Sequence, residues 1–339
     1  MSGDRRSIDR ALAWLRTQQL PSGELPSFAG FLTDEPGTWD PDQLNFITAL
    51  AAEVLDPVDH PDARAIVDAA VAFLRGEREP NALWRYWARS NERVAFTPPD
   101  ADDTACCSLA VGRRGDDTAA NVAIYRATAA PDGRIRTWLI PHGRLGPRAW
   151  WALRDERRPE TVALRAQLWS DTEAEPGDID AVVNANACRY LGPERAPAGA
   201  VDWVASVVEA GWETQDKWHR TPFTLWAAVA DGARRGIERF APLGPLVIER
   251  IAGAVGPDGG VARDLDTALA LLAVQRFDGP ADLRASLAAA LRSRQGADGS
   301  WARETFYYGG PTEVFGWASE ALTAAYAVSG LAAEAAPVR

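Results

Sequence analysis

Cysteine, histidine and methionine are scarce in this 339-residue chain, with three Cys, three His and one Met. Cys106 and Cys107 are adjacent, so there is neither a disulfide framework nor a paired C-x-x-C zinc site, which suits a reducing cytoplasm. A basic excess is also lacking: 36 Lys and Arg stand against 47 Asp and Glu, a net charge of -11 that argues against general attraction to nucleic acid or anionic lipid. No window approaches the ~18 apolar residues that span a bilayer. The opening "MSGDRRSIDRALAWLRTQQL" carries charge from its start and reads as a soluble, cytoplasmic protein without a secretion signal. No P-loop, no G-x-G-x-x-G after a strand and no Ser-His-Asp order is visible, and "YYGGP" and "GPDGG" read as turns.

Fourteen tryptophans and a helical periodicity are what the sequence does have. Strand-like alternation is scarce. Amphipathic segments occur at about 6–19, 61–76, 117–130, 198–211, 243–255 and 281–295, and segments apolar nearly all round at about 42–55, 100–112, 180–191, 222–236, 264–276 and 312–330. A helix that is apolar on every face belongs inside, and one with a polar face belongs outside. The two kinds alternate six times, which predicts an all-α (α/α)6 barrel of six inner and six outer helices, one domain over 1–339, with a generic helical solenoid as the alternative. Long connections lead from outer to inner helices, often with glycine before an aromatic, as in "QGADGSW" and "LPSGELPSF".

"QGADGSW" (295–301) resembles the Q-x-x-D-G-S-W repeat of the terpene cyclase and prenyltransferase superfamily, and "QQLPSGELPSF" looks like a degenerate copy. "DADDTA" (100–105) resembles the D-x-D-D-T-A motif of class II terpene cyclases. Those cyclases normally place their pocket between two barrels, whereas this chain has room for one. The resemblance implies protonation-initiated cyclisation or isomerisation of an isoprenoid or other polyene. Asp102 would be the general acid, Asp100 and Asp103 would tune it, and Thr104 would be a hydrogen-bond partner. It implies no cofactor, with magnesium only for a diphosphate substrate, and a homodimer or a second barrel as partner.

The residues also have a plainer reading. Asp is a preferred N-cap, and D-x-D precedes or opens four of the six inner segments, at 40–42, 100–102, 178–180 and 264–266, so capping is the expected common role. Only the copy at 100–103 adds a third Asp and Thr104. Clustered carboxyls retain a proton by like-charge repulsion and burial, while a helix N-terminus stabilises the anion left behind. Asp180, Asn184, Asp266 and the aromatics Trp87, Trp218, Phe223, Tyr308 and Trp317 fall at or near inner-helix starts and are expected to surround the substrate at one mouth. Asn186 shares the same apolar segment, His219 is the only histidine in an aromatic loop, and Arg189, Arg220, Arg263 and Arg303 are candidates to meet a diphosphate. No metal site is expected, since adjacent cysteines cannot both face one ion from a helix. Two other functions fit the same fold: a carbohydrate-active barrel using Asp102 and Asp180, and a non-catalytic binding barrel. The cyclase reading requires a cavity that reaches Asp102.

Overall fold

The computed structural model describes residues 3–32 and 38–335. Its helices are α1 (Gly3–Gln18), α2 (Asn45–Leu55), α3 (Pro61–Glu77), α4 (Ala101–Gly112), α5 (Val122–Thr128), α6 (Pro147–Ala152), α7 (Pro159–Asp171), α8 (Ala181–Leu191), α9 (Ala198–Ala210), α10 (Pro222–Arg234), α11 (Gly244–Ala254), α12 (Asp264–Arg276), α13 (Ala281–Arg294) and α14 (Glu320–Ala335). Helices α2, α4, α8, α10, α12 and α14 each pack on the next, and α14 returns to α2, which closes an inner ring. Every residue of α2 is buried, as an all-apolar surface requires. Outer helices lie against this ring, α1 on α14, α3 on α2, α9 on α8 and α13 on α12. The all-α (α/α)6 architecture expected from the alternation is what the chain adopts. Among the described residues no helix is long and apolar enough to cross a membrane.

The repeat motifs tie outer helices together. Gln295 donates from Nε2 to the carbonyls of Gly299 and of Ser7 on α1, and the Trp301 indole donates to Leu291 on α13. The degenerate copy repeats this geometry: Gln19 donates to Gly23 and to Ile66 on α3. Trp84 donates to Leu74 ten residues earlier, as Trp301 does to Leu291. Gly299 has φ +99°, and a Cβ there would lie 2.5 Å from the Arg10 carbonyl oxygen, so the motif's glycine is required sterically.

Two features depart from the sequence reading. The inner segment expected from 312 begins as a helix only at Glu320, because Phe315–Ala318 forms a strand. That strand, β4, belongs to an antiparallel sheet ordered β2-β1-β4-β3, with β1 at Phe28–Phe31, β2 at Asp40–Pro41 and β3 at Thr305–Tyr308. Strands of two to four residues are too short for an alternating pattern to register. The register places Trp317 opposite both Ala29 and Tyr307, bringing two aromatics to the barrel mouth. Further, α6 and α7 lie within the long connection to α8, and Leu168 of α7 reaches the mouth.

Candidate active site

Asp100 is the N-cap of α4. Its backbone is extended (φ -118°, ψ 165°) and its Oδ1 accepts from the Asp103 backbone N–H at 2.7 Å. Capping is not, however, the common role of the D-x-D pairs. Asp180 precedes α8 without a side-chain cap bond, α2 is capped by Leu44 without one, and Asp264 and Asp266 lie inside the first turn of α12. These carboxylates have partners elsewhere in the chain. Asp42 accepts both indole N–H groups of Trp87 (2.9 Å) and Trp317 (2.8 Å), and Asp180 accepts those of Trp218 (2.9 Å) and the Thr137 hydroxyl (2.6 Å). Asp264 lies beside Arg294, and Asp266 is clamped by Arg263.

Asp100, Asp102 and Asp103 are all buried around one small void, which Phe46, Thr137, Val183 and Tyr307 complete. Burial, with the charges of Asp100 and Asp102, raises the Asp103 carboxyl well above the usual carboxylate range. Burial raises Asp100 to about 6, against the lowering effect of the N–H groups it accepts. Burial and mutual repulsion therefore favour the protonated form of Asp100 and Asp103. Asp102 Oδ1 accepts from Asn186 Nδ2 at 2.7 Å and lies 4.0 Å from Cys106 Sγ; Oδ2 is 3.5 Å from His219 Nε2, an ion-pair separation. Burial presses the His219 pKa down, but the adjoining Asp102, with Asp216 and Asp180, outweighs this and raises it. A protonated imidazole is thus favoured beside the Asp102 carboxyl.

Asn186 is oriented from behind. Its Oδ1 accepts from Arg189 at 2.6 Å, which commits its amide hydrogens to Asp102. Arg189 in turn donates to Glu53 at 2.6 Å and Asp231 at 2.8 Å, and Arg235 contacts both carboxylates. Burial alone would raise Asp231, yet Arg189, Arg276 and Arg235 hold it well below the usual carboxylate range.

Above the trio opens a cavity of about 400 Å³ lined by Trp87, Trp138, Trp218, Tyr307, Trp317 and Phe315 among others, with Asp100 at its floor. Tyr307 and Asp100 line both this cavity and the carboxylate void. The Tyr307 ring stacks on Trp218 (5.7 Å, 2°) and Tyr86 (5.0 Å, 29°) and meets His219 edge-on at 5.4 Å. Asp102 and Asp103 line the small void and not the larger cavity.

The expected substrate-facing residues divide accordingly. Trp87, Trp218 and Trp317 line the cavity. Asn184 does not: its amide is used up by the Ile135 N–H and C=O and by Asp180 O, so it pins a loop. Phe223 packs edge-on against Trp226, and Asp266 bonds Arg263 and Thr221. Tyr308, partly buried, lies beside Arg263 outside the cavity wall, and Asp180 stands behind Trp218. Thr104 bonds backbone Trp84, which makes it an anchor of that loop and no partner of the aspartates. A glycosidase pair of Asp102 and Asp180 would need both carboxyls on one open cleft, and neither lines the cavity. The four candidate arginines are committed too: Arg189 to Glu53, Arg220 to Glu313, Arg263 to Asp266 and Arg303 to Glu320.

Asp180, buried against the charges of Asp216 and Asp178, is raised to about 7. A carboxyl whose folded pKa exceeds its unfolded value of about 3.9 contributes stability at low pH that is lost as pH climbs through the folded value. Asp180→Asn is therefore expected to gain stability relative to the unsubstituted protein between pH 4 and about 7. Urea unfolding at pH 5 and pH 8 would measure it, and an equal difference at both would contradict the shift.

No protein-family model matches the sequence, and no curated protein matches it. Solved structures do match over nearly the full length. A protein from Actinoplanes aligns with TM-score 0.72 and 19% identity over 98% of this chain and 100% of its own. The type II terpene cyclase MstE from Scytonema aligns with TM-score 0.67 and 17% identity, covering 98% of each chain. The chain shares the MstE fold. A substituted MstE in complex with geranylgeranyl dihydroxybenzoate, its substrate, aligns at TM-score 0.61 and 18% identity over 98% of this chain and 97% of that one.

Proposed function

We propose that the protein is a type II terpene cyclase-like enzyme that protonates an isoprenoid or other polyene, with Asp102 as general acid. The observation that carries this reading is the placement of a buried, proton-retaining carboxyl trio at the positive end of α4, directly beneath an aromatic-lined cavity. In the first step the Asp102 O–H gives its proton to one alkene carbon. The π pair becomes the new C–H bond, the neighbouring carbon is left cationic, and the next double bond closes on it. Loss of a proton from the substrate ends the sequence. Asp103 and Asp100 hold the proton supply, and Asn186 and His219 stabilise the carboxylate that Asp102 leaves. Tyr307 must swing aside to admit the alkene, a gating motion of the kind common at closed active sites.

The cavity also discriminates between head groups. Its volume is within the ~300–1,000 Å³ of small-molecule sites. Its charged lining is Arg93 against Asp100, Asp171 and Glu173, a poor cradle for a diphosphate. Geranylgeranyl dihydroxybenzoate and geranylgeraniol are therefore expected to be cyclised in preference to geranylgeranyl diphosphate, with products read by mass spectrometry. A preference for the diphosphate with added magnesium would overturn the head-group assignment; no product from any of the three would sink the cyclase reading.

A further inference from the structure

Trp87 and Trp317 lie far apart in sequence, yet both indole N–H groups converge on one oxygen, Oδ2 of Asp42, at 2.9 and 2.8 Å. The other oxygen, Oδ1, accepts from Asn91 Nδ2 at 2.5 Å, and Arg93, half-exposed at the rim, comes no nearer than 3.9 Å. Asp42 is buried and does not line the cavity, whereas both indoles do. The carboxylate thus stands behind the wall and pulls both polar N–H edges outward. Tyr86 wedges edge-on against each ring (5.5 Å, 77° and 5.1 Å, 80°), which fixes their tilt.

Two physical consequences follow. An indole anchored by its only polar atom offers the cavity carbon faces and edges alone, so the wall is apolar and has a defined orientation. An N–H donated to a carboxylate also pushes electron density into the ring, which deepens the negative face that attracts cations. The carboxylate charge at the N–H edge of both rings adds to the same field. Helix capping does not explain Asp42, because α2 starts at Asn45 with Leu44 as its N-cap.

We propose that Asp42 is a positioning residue that orients and polarises Trp87 and Trp317 as a cation-binding wall, making the cavity selective for hydrophobic cations. The proposal rests on the cyclase reading only in naming the natural cation as a carbocation, and its test needs no turnover. The probes are dodecyltrimethylammonium and the net-neutral dodecyldimethylamine N-oxide, both below micelle formation, with binding followed by tryptophan fluorescence and calorimetry. The unsubstituted protein is expected to bind the ammonium about tenfold more tightly than the N-oxide. Asp42→Asn keeps an acceptor oxygen and removes the charge, and it is expected to erase most of that preference while N-oxide binding changes by less than about twofold. Trp87→Phe, which removes one N–H and keeps a ring, is expected to reduce the preference in the same direction and serves if Asp42→Asn does not fold. A preference that is absent in the unsubstituted protein, unchanged in the variants, or lost only because both ligands weaken alike would overturn the proposal. Absence of a cyclised product from all three geranylgeranyl substrates would instead remove the cyclase reading and leave the ammonium measurement standing, so the two failures are distinguishable.

Discussion

Asp102→Asn is expected to lower cyclisation turnover by about 10²–10⁴-fold, the usual contribution of a positioned general acid. The substituted amide has no acidic proton to give, but it keeps an oxygen for Asn186 and adds no bulk beside His219. The loss should therefore fall on kcat, with KM and the thermal midpoint nearly unchanged. Steady-state kinetics on geranylgeranyl dihydroxybenzoate, paired with thermal unfolding, separates this from a folding defect. Full activity in the variant would show that another group donates, and Asp103, whose carboxyl is raised well above the usual range by burial and the neighbouring charges, would be next.

Arg189→Met is expected to produce the largest loss of stability, about 3–5 kcal/mol, as removing one member of a buried ion network does. The substitution keeps most of the side-chain volume but leaves Glu53 and Asp231 inside the barrel with only Arg235 and Arg276 to balance them. It also strips the donor that fixes Asn186, so the amide is free to turn its oxygen toward Asp102. Urea unfolding measures the first effect. A variant as stable as the parent would mean that the remaining arginines suffice.

The ring of inner helices was legible because burial on every face leaves a compositional mark: α2, α4 and α12 are apolar nearly all round apart from their first turns. The aspartate trio was legible as an excess over capping. What Asp42 and Asp180 do was not, because their partners are distant in sequence. Asp42 meets Trp317 275 positions away, and Asp102 meets Asn186 at a separation of 84. The D-x-D pattern invited one explanation for all copies, while the fold uses Asp100 as a cap and Asp42 and Asp180 as indole anchors. Asn186 and His219 did stand out in the sequence, as an amide in an apolar helix and as a lone histidine among aromatics. Only the closed ring, with α8 beside α4 and α10 beside α8, turns both toward Asp102. Tyr307's position on the walls of both the cavity and the carboxylate void depends on the short β3–β4 pairing, which left no periodic trace.

The central claim is that the reaction begins with a proton from the carboxyl trio. Turnover of geranylgeranyl dihydroxybenzoate in D₂O tests it most directly, since carboxyl protons exchange with solvent. The product is expected to carry one solvent-derived deuterium on the carbon that accepted the proton, located by NMR and counted by mass spectrometry. A cyclised product with no deuterium would contradict protonation as the initiating step.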